Sequence, residues 1–118
     1  MPTVYKMWPL QSLPFEERFT QSGNILLKYP DRIPVIVGTG KEINLDKQKY
    51  LVPRDLTVGQ FIYVLRKRID IKPETAIFLF TETNQLPPTS VLMGNLYQNC
   101  KNKDGFLYVS IALENTFG

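Results

Sequence analysis

The sequence contains no histidine and a single cysteine, Cys100. Histidine is the commonest general base at neutral pH and activates the nucleophile in Ser-His and Cys-His pairs, so its absence makes an enzyme the least expected class. One cysteine cannot form an internal disulfide, and no Cys-x-x-Cys pair is present to bind zinc. The cysteine content predicts a reducing compartment, in which Cys100 is an ordinary thiol.

Long apolar runs are also missing. No stretch approaches the roughly 18 consecutive apolar residues that indicate a membrane-spanning helix. The first residues, MPTVYKMWPLQSL, lack the charged start and long apolar stretch of a signal peptide. Both absences predict a protein of the cytoplasm.

The residues that are present are typical of one globular domain. The chain has 118 residues, of which 43% are hydrophobic and 21% charged, enough to bury a core without disulfides. Its net charge of +3 is uneven, because one stretch holds a single acid among the basic residues Lys47, Lys49, Arg54, Arg66, Lys67 and Arg68. Such a stretch attracts acidic peptides, anionic lipid or nucleic acid, although a solvated helix end with strand-edge lysines explains most runs of this kind.

Capping residues and hydrophobic patterning predict the elements of the first half. A helix is predicted from Ser12 to Lys28, capped by Ser12 and presenting Phe15, Phe19 and Ser22 on one face. The β-branched run at 33–37 predicts a buried strand. The stretch KQKYLVP at 47–53 predicts a second strand that forms a hairpin with the first.

The second half shows the clearest helix, in DLTVGQFIYVLRKRIDI at 55–71. Thr57 is its expected cap, and its apolar positions follow the helical rhythm at Val58, Phe61, Ile62, Leu65 and Ile69. A strand is predicted at 76–82, followed by a Pro-rich loop whose Thr89 or Ser90 caps a short helix ending at Tyr97. The nearly continuous apolar stretch DGFLYVSIAL at 104–113 predicts a central strand.

Two strands, a crossing helix and two more strands predict an α+β fold, the ubiquitin-like β-grasp, with an additional N-terminal helical segment. Residues 1–28 are expected to be a helical extension packed on the core, and 29–118 a ubiquitin-like domain with a C-terminal tail at 114–118. Insertion of Met7, Trp8 and Leu10 at a lipid interface is one role for the extension. Burial of Trp8 against the core is favoured, because large aromatic residues are usually well buried.

Four stretches carry a resemblance that covers nearly everything from Phe15 to Gly118: KYPDRIPVIV, LDKQKYLVPRDLTVGQFIYVLRKRI, PPTSVLMGNLYQ and DGFLYV with ENTFG. Together they resemble the autophagy-related ubiquitin-like modifiers, the family of GABARAP and the microtubule-associated-protein light chains. The middle stretch is closest to the GABARAP branch, whereas DGFLY and TFG are closer to the light-chain branch.

The resemblance implies conjugation of the C-terminal Gly118 to the amine of phosphatidylethanolamine on autophagosomal membranes, with Phe117 recognised in the tail ahead of it. An activating enzyme, a conjugating enzyme and a processing and deconjugating cysteine protease are the implied partners. Because those partners hold the catalytic groups, the protein itself is not an enzyme and needs no metal or cofactor beyond the attached lipid. Its implied location is the cytoplasm, and the autophagosome membrane once it carries lipid.

The resemblance also implies binding of cargo receptors and scaffolds that carry aromatic-x-x-aliphatic motifs, and an exposed edge strand suits such peptides. The implied aromatic pocket consists of Ile25, Pro34, Ile36, Lys49, Leu51 and Phe106. The implied aliphatic pocket consists of Tyr50, Val52, Pro53, Leu56, Phe61 and Val64. Acidic residues beside the motif would contact Arg32, Lys47, Lys49 and Arg68. Exposed ion pairs are individually worth about 0–1 kcal/mol, so they select partners more than they hold them.

Two alternatives stay open at this point. A peptide-binding adaptor of the same fold that is never lipidated would keep its membrane association in the variant Gly118→Ala. A small nucleic-acid-binding domain would use the basic stretch, but its cations alternate with expected core positions, and the sequence shows no RNA-binding pattern of aromatics on adjacent strands. We therefore expect no nucleic-acid partner.

Overall fold

A computed structural model describes residues 13–40 and 42–114. In chain order the elements are α1 (Phe15–Lys28), β1 (Arg32–Thr39), β2 (Lys49–Pro53), α2 (Val58–Arg66), β3 (Ile77–Thr81), α3 (Met93–Cys100) and β4 (Leu107–Leu113). The predictions for Met7, Trp8, Leu10, Ser12, Phe117 and Gly118 lie outside the described residues.

The four strands form one mixed sheet in the order β2-β1-β4-β3. The two central strands, β1 and β4, run parallel, and each outer strand is antiparallel to its neighbour. The hairpin of β1 and β2 and the central place of the last strand are therefore both confirmed. With α2 crossing the sheet, the arrangement is that of the predicted β-grasp.

The helix α2 begins as its sequence predicts. Thr57 is the N-cap, its hydroxyl accepts from the Gln60 N–H at 3.1 Å, and its own N–H donates to the Gln60 side chain at 2.9 Å. This reciprocal pair satisfies two backbone donors at the helix start. The helix ends at Arg66, and Ile69 packs on the core from the segment beyond it. The apolar pattern thus outlasts the helix by one turn.

The strand β4 is buried along all seven residues because both faces of the sheet are covered. Leu107, Val109 and Ile111 point to the inner face, where α2 and α3 complete the main core. Tyr108 points to the outer face, in a smaller cluster whose other buried members are Ile36 and Phe106, with Leu13 and Ile25 packed against it. Two covered faces explain why the sequence of β4 reads as one apolar run.

The start of α3 differs from the prediction. Neither Thr89 nor Ser90 caps it: Leu92 is the N-cap, without a side-chain hydrogen bond, and the helix continues past Tyr97 to Cys100. The Met93 N–H donates to the Leu56 carbonyl at 2.7 Å and the Gly94 N–H to the Arg54 carbonyl at 3.0 Å. Because backbone carbonyls from the turn after β2 already satisfy these donors, a capping side chain is not needed.

The face that α1 turns to the domain agrees with the prediction at Ser22 but differs from it at Phe15 and Phe19. Phe15 and Phe19 are 45% and 56% exposed, and their rings stack on each other with centroids 6.0 Å apart. The buried residue of the helix is Ser22, whose hydroxyl donates to the Asp104 carbonyl at 2.6 Å. The apolar spacing of Phe15 and Phe19 therefore corresponds to an exposed pair, and the hydrogen bond of Ser22 orients the helix.

A fully buried carboxylate, that of Asp104, joins α1 to the sheet. One oxygen accepts from the Tyr108 hydroxyl at 2.5 Å and from Arg18 Nη1 at 3.0 Å, and the other accepts from the Phe106 N–H at 2.9 Å. We call Arg18, Ser22, Asp104 and Tyr108 the Asp104 cluster. Each carboxylate oxygen has a donor, which is the condition under which a buried charge is tolerated.

The residue after Asp104 must be glycine for two reasons. Gly105 has a φ of +91°, a conformation that other residues rarely adopt. A Cβ atom at this position would also collide with the Ser22 hydroxyl. The Gly105 carbonyl in turn accepts from the Tyr97 hydroxyl at 2.7 Å, so the turn before β4 is fixed to both α1 and α3.

The variant Asp104→Ala should lower the free energy of unfolding by about 2–4 kcal/mol, because the Tyr108 hydroxyl and the Phe106 N–H lose a charged acceptor inside the protein. Urea denaturation followed by circular dichroism measures this change. Hydrogen exchange of the α1 amides should accelerate more than that of β4, since α1 loses the ion pair of Arg18 with Asp104. The exposed neighbour Lys103 provides the control variant Lys103→Ala. Unchanged protection of α1 in Asp104→Ala would show that the helix is held by other contacts.

The Asp104 cluster also predicts a loss of stability in alkali. Burial, followed by hydrogen bonding to Asp104, raises the pKa of Tyr108 from 10.0 to about 12. A raised pKa in the folded protein means that this stabilisation is complete below about pH 10 and is lost as the pH rises toward 12. Absorbance at 295 nm, which follows phenolate formation, should therefore show a late phase that disappears in Tyr108→Phe. An identical titration curve in the variant would contradict the assignment.

Candidate functional site

A cavity of about 370 Å³ lies between α1 and the outer face of β1 and β2. All six residues predicted for the aromatic pocket line it: Ile25, Pro34, Ile36, Lys49, Leu51 and Phe106. The structure thus brings them together, while their role in binding stays a prediction. Its volume lies in the range of about 300–1,000 Å³ that is usual for ligand sites.

Strand register explains how these side chains meet. Pro34 and Ile36 are two residues apart on β1 and so share the outer face, and their partners across the ladder are Leu51 and Lys49. Ile36 and Phe106 are fully buried and form the floor, whereas Leu51 is half-buried and Lys49 is exposed at the rim. Ile25, a residue of α1, forms the wall of the cavity on the side of the helix.

The cavity also includes residues that the prediction for the aromatic pocket omitted. Gln21 lies one helical turn before Ile25, and Val35 and Tyr50 face each other across the ladder. The i, i+4 spacing of Gln21 and Ile25 places both side chains on the same face of α1. Gln21 places an uncharged polar side chain beside otherwise apolar and cationic walls.

The cavity opens beside an edge of the sheet. One side of β2 pairs with β1, and no strand in the described ranges pairs with its other side. An edge of this kind can accept an extended segment through backbone hydrogen bonds, with adjacent pockets reading alternate side chains. The site therefore combines a main-chain ladder with a concave apolar floor.

The six residues predicted for the aliphatic pocket fall into two groups. Tyr50, Val52 and Phe61 are core residues, and the Tyr50 ring meets the Phe61 ring edge-on with centroids 5.6 Å apart. Leu56 is half-buried, and Pro53 and Val64 are exposed. Phe61, which the helical rhythm of apolar residues predicted on the apolar face of α2, is fully buried. Tyr50, predicted only for the aliphatic pocket, also lines the cavity.

Three cations line the cavity: Arg32, Lys47 and Lys49. No carboxylate is found among the described residues that line it. Lys47 extends over the Tyr50 ring, with its Nζ 5.3 Å from the ring centroid. We call Arg32, Lys47 and Lys49 the cationic rim. This arrangement favours a ligand that carries acidic groups beside an apolar anchor.

The other cations of the basic stretch have different partners. Arg54 donates to the Pro30 carbonyl at 3.2 Å, and Arg66 donates to the Thr75 carbonyl at 2.6 Å. Lys67 lies over the Tyr63 ring, 4.5 Å from its centroid. Arg68 pairs with Asp46, with 3.5 Å between Nη1 and Oδ1, and its predicted contact with acidic groups of a peptide stays a prediction. The basic stretch therefore does not form one continuous surface in the described structure.

The Tyr50 hydroxyl is buried without a hydrogen-bond partner, and Ser110 is the other described residue with such a side-chain atom. Burial raises the pKa of Tyr50, the positive charge of Arg68 lowers it, and the negative charge of Asp46 raises it. The phenol is thus neutral at physiological pH, and it lies within electrostatic reach of the pair formed by Arg68 and Asp46.

The described chain leaves the sheet beside the start of β3. Leu113 pairs with Ile77, and the Glu114 N–H donates to the Ala76 carbonyl at 2.9 Å. Among the described residues, no group of three or more potential ligands could hold a metal ion. None of the described helices is long and apolar enough to cross a membrane.

Comparisons with known proteins agree with this geometry. The family model described as autophagy protein Atg8 ubiquitin like matches residues 17–118. Autophagy-related protein 8e of Arabidopsis thaliana is 56% identical over 107 residues, which are 88% of this chain and 87% of that protein.

Solved structures confirm the β-grasp as well. The crystal structure of Trypanosoma brucei ATG8 is similar with a TM-score of 0.81 and 40% identity, over 87% of this chain and 90% of that one. Plasmodium falciparum Atg8, solved in complex with a peptide of Plasmodium falciparum Atg3, is similar with a TM-score of 0.77 and 31% identity, over 95% and 96% of the two chains. The family match, the identity of the relatives and the shared fold lead to one conclusion: the chain belongs to the Atg8 family of ubiquitin-like autophagy modifiers.

Proposed function

We propose that this protein is conjugated through Gly118 to phosphatidylethanolamine on autophagosomal membranes and there recruits proteins that carry aromatic-x-x-aliphatic motifs. The cavity beside the free edge of β2 is the observation that carries the recruiting function. The chain acts as a tag, and the catalytic groups belong to an activating enzyme, a conjugating enzyme and a cysteine protease. It moves from the cytoplasm to the autophagosome membrane when it receives the lipid.

The geometry of the C-terminal end supports the conjugation. The chain leaves the sheet after Leu113, held to Ala76 by the Glu114 N–H, and four more residues reach Gly118. A glycine carboxylate is unhindered, which suits transfer between enzymes. The Plasmodium relative was solved with a peptide of Atg3, which supports a conjugating enzyme of that kind as a partner here.

In the recruiting step, the aromatic side chain of the motif enters the cavity over Ile36 and Phe106. An aromatic residue buries about 150–250 Å², which at about 25 cal/mol per Å² gives a gross stabilisation of about 4–6 kcal/mol. Each exposed ion pair with the cationic rim adds only about 0–1 kcal/mol. The aromatic anchor therefore provides most of the affinity, and the rim selects motifs with acidic flanks.

The aliphatic residue of the motif, three positions further along an extended peptide, reaches the surface between β2 and α2. Leu56, Pro53 and Val64 are the accessible members of that predicted pocket. Tyr50 and Phe61 support this surface from below through their edge-on contact. Backbone bonds to the edge of β2 set the register of the peptide between the two pockets.

Truncation of Leu51 tests the recruiting function. In Leu51→Ala the affinity for a peptide with the motif Trp-x-x-Leu should fall about 5- to 30-fold, because a hydrophobic wall of the cavity is lost, a change of about 1–2 kcal/mol. Isothermal titration calorimetry measures the affinity, and a urea titration confirms that the variant is folded. The control Tyr63→Ala removes an exposed side chain of α2 outside both pockets and should leave the affinity unchanged. Failure of the unsubstituted protein to bind several such peptides would refute the recruiting function.

Substitution of the last residue tests the conjugation. Protein recovered from the membrane fraction of starved native cells should yield a C-terminal peptide whose mass includes phosphatidylethanolamine. In Gly118→Ala this adduct and the membrane fraction should both disappear, whereas the control Asn115→Ala should retain them. A free carboxylate throughout, with membrane recruitment intact in Gly118→Ala, would instead identify a peptide-binding adaptor that is not lipidated.

A further inference from the structure

One cation beside the site, Arg68, already has a carboxylate partner within the protein. Arg32, Lys47 and Lys49 line the cavity, but Arg68 is held by Asp46 through a single contact of 3.5 Å between Nη1 and Oδ1. Asp46 directly precedes Lys47 of the cationic rim in the sequence. The side chains of Arg68 and Asp46 are 40% and 73% exposed, so a solute can approach either one.

The contact between Arg68 and Asp46 is easily exchanged. Strong charge-assisted bonds are about 2.7–2.9 Å long and often bidentate, whereas this one is longer and single. Exposure to water and to salt screens it further. A second carboxylate could accept hydrogen bonds from the guanidinium of Arg68 in the same way and could do so with both oxygens at once.

Tyr50 places this pair next to the cavity. Its side chain lines the cavity, and its ring lies under Lys47, the residue that directly follows Asp46. Its hydroxyl is buried and has no hydrogen-bond partner among the described residues. The free protein thus keeps both a weak ion pair and a buried unsatisfied hydroxyl at the margin of the site, and a buried polar group without a partner calls for an explanation.

We propose that Asp46 is a specificity-determining residue of this site, which occupies Arg68 in the free protein and yields it to a carboxylate of the bound peptide. This inference rests on the peptide-binding function proposed above. A peptide without acidic side chains leaves the pair of Arg68 and Asp46 intact and gains nothing from Arg68. An acidic peptide must displace Asp46, so the internal carboxylate limits the advantage that acidic flanks provide.

The test compares two peptides with the same Trp-x-x-Leu core, one flanked by Glu and Asp and the other by Gln and Asn. Their dissociation constants are measured by calorimetry with the unsubstituted protein, Asp46→Asn, Arg68→Gln and the double variant. Asp46→Asn should tighten binding of the acidic peptide about two- to five-fold and change that of the amide peptide less than the error of the measurement. The matched control Asp55→Asn neutralises an exposed acid at the other end of β2 and should change neither.

The double variant separates competition from simple repulsion. If Asp46 acts by occupying Arg68, its neutralisation should bring almost no gain in the Arg68→Gln background. A full gain in that background would mean that Asp46 repels the peptide through space, and the inference would be wrong. An equal gain for both peptides would also overturn it. If the unsubstituted protein binds neither peptide, the peptide-binding function itself fails, a result distinct from binding that Asp46 does not modulate.

Discussion

The carboxylate of Asp104 lies where α1, α3 and the central strand β4 meet, and its burial sets a condition that the surrounding structure has to fulfil. A buried charge is stable only with donors around it, and Tyr108, Phe106 and Arg18 supply them. Because Arg18 belongs to α1, the same condition fixes where that helix lies. The Asp104 cluster therefore fixes the position of α1, as apolar packing fixes the position of α2.

The position of α1 in turn determines one wall of the cavity. Ser22 is anchored to the Asp104 carbonyl, and Gln21 and Ile25, on adjacent positions of the same helix, line the cavity. The opposite wall comes from the ladder of β1 and β2. The site thus depends on a helix that is held by hydrogen bonds and on a sheet that is held by its core. The open edge of β2 lies between the apolar floor of the cavity and the cationic rim.

Local signals in the sequence predicted the elements whose ends are fixed locally. Thr57 and Gln60 form their capping pair within one turn, and the apolar run of β4 reflects burial on both faces. The start of α3 was not predictable in this way, because carbonyls of Arg54 and Leu56, distant in sequence, satisfy its donors. The orientation of α1 was not predictable for the same reason. Its apolar periodicity favoured burial of Phe15 and Phe19, whereas the contact with Asp104, distant in sequence, determines which residues are buried.

The candidate site shows the same division. The residues of the aromatic pocket followed from the family resemblance, and the ladder register of β1 and β2 brings them together. The partner of Arg68 could not be predicted, since the loop that carries Asp46 returns to α2 only in the folded chain. Spacing gives the faces of an element, and tertiary contacts decide which face is covered.

The central place of β4 has a mechanical consequence. The strand is bonded along both sides, parallel to β1 and antiparallel to β3, and the chain leaves the sheet from its C-terminal end. A force applied to that end acts along the strand and roughly at right angles to its hydrogen bonds. All the bonds of both ladders then share the load, whereas a force across an edge strand would break them one at a time. A pull on this end of the chain is therefore resisted by both ladders at once.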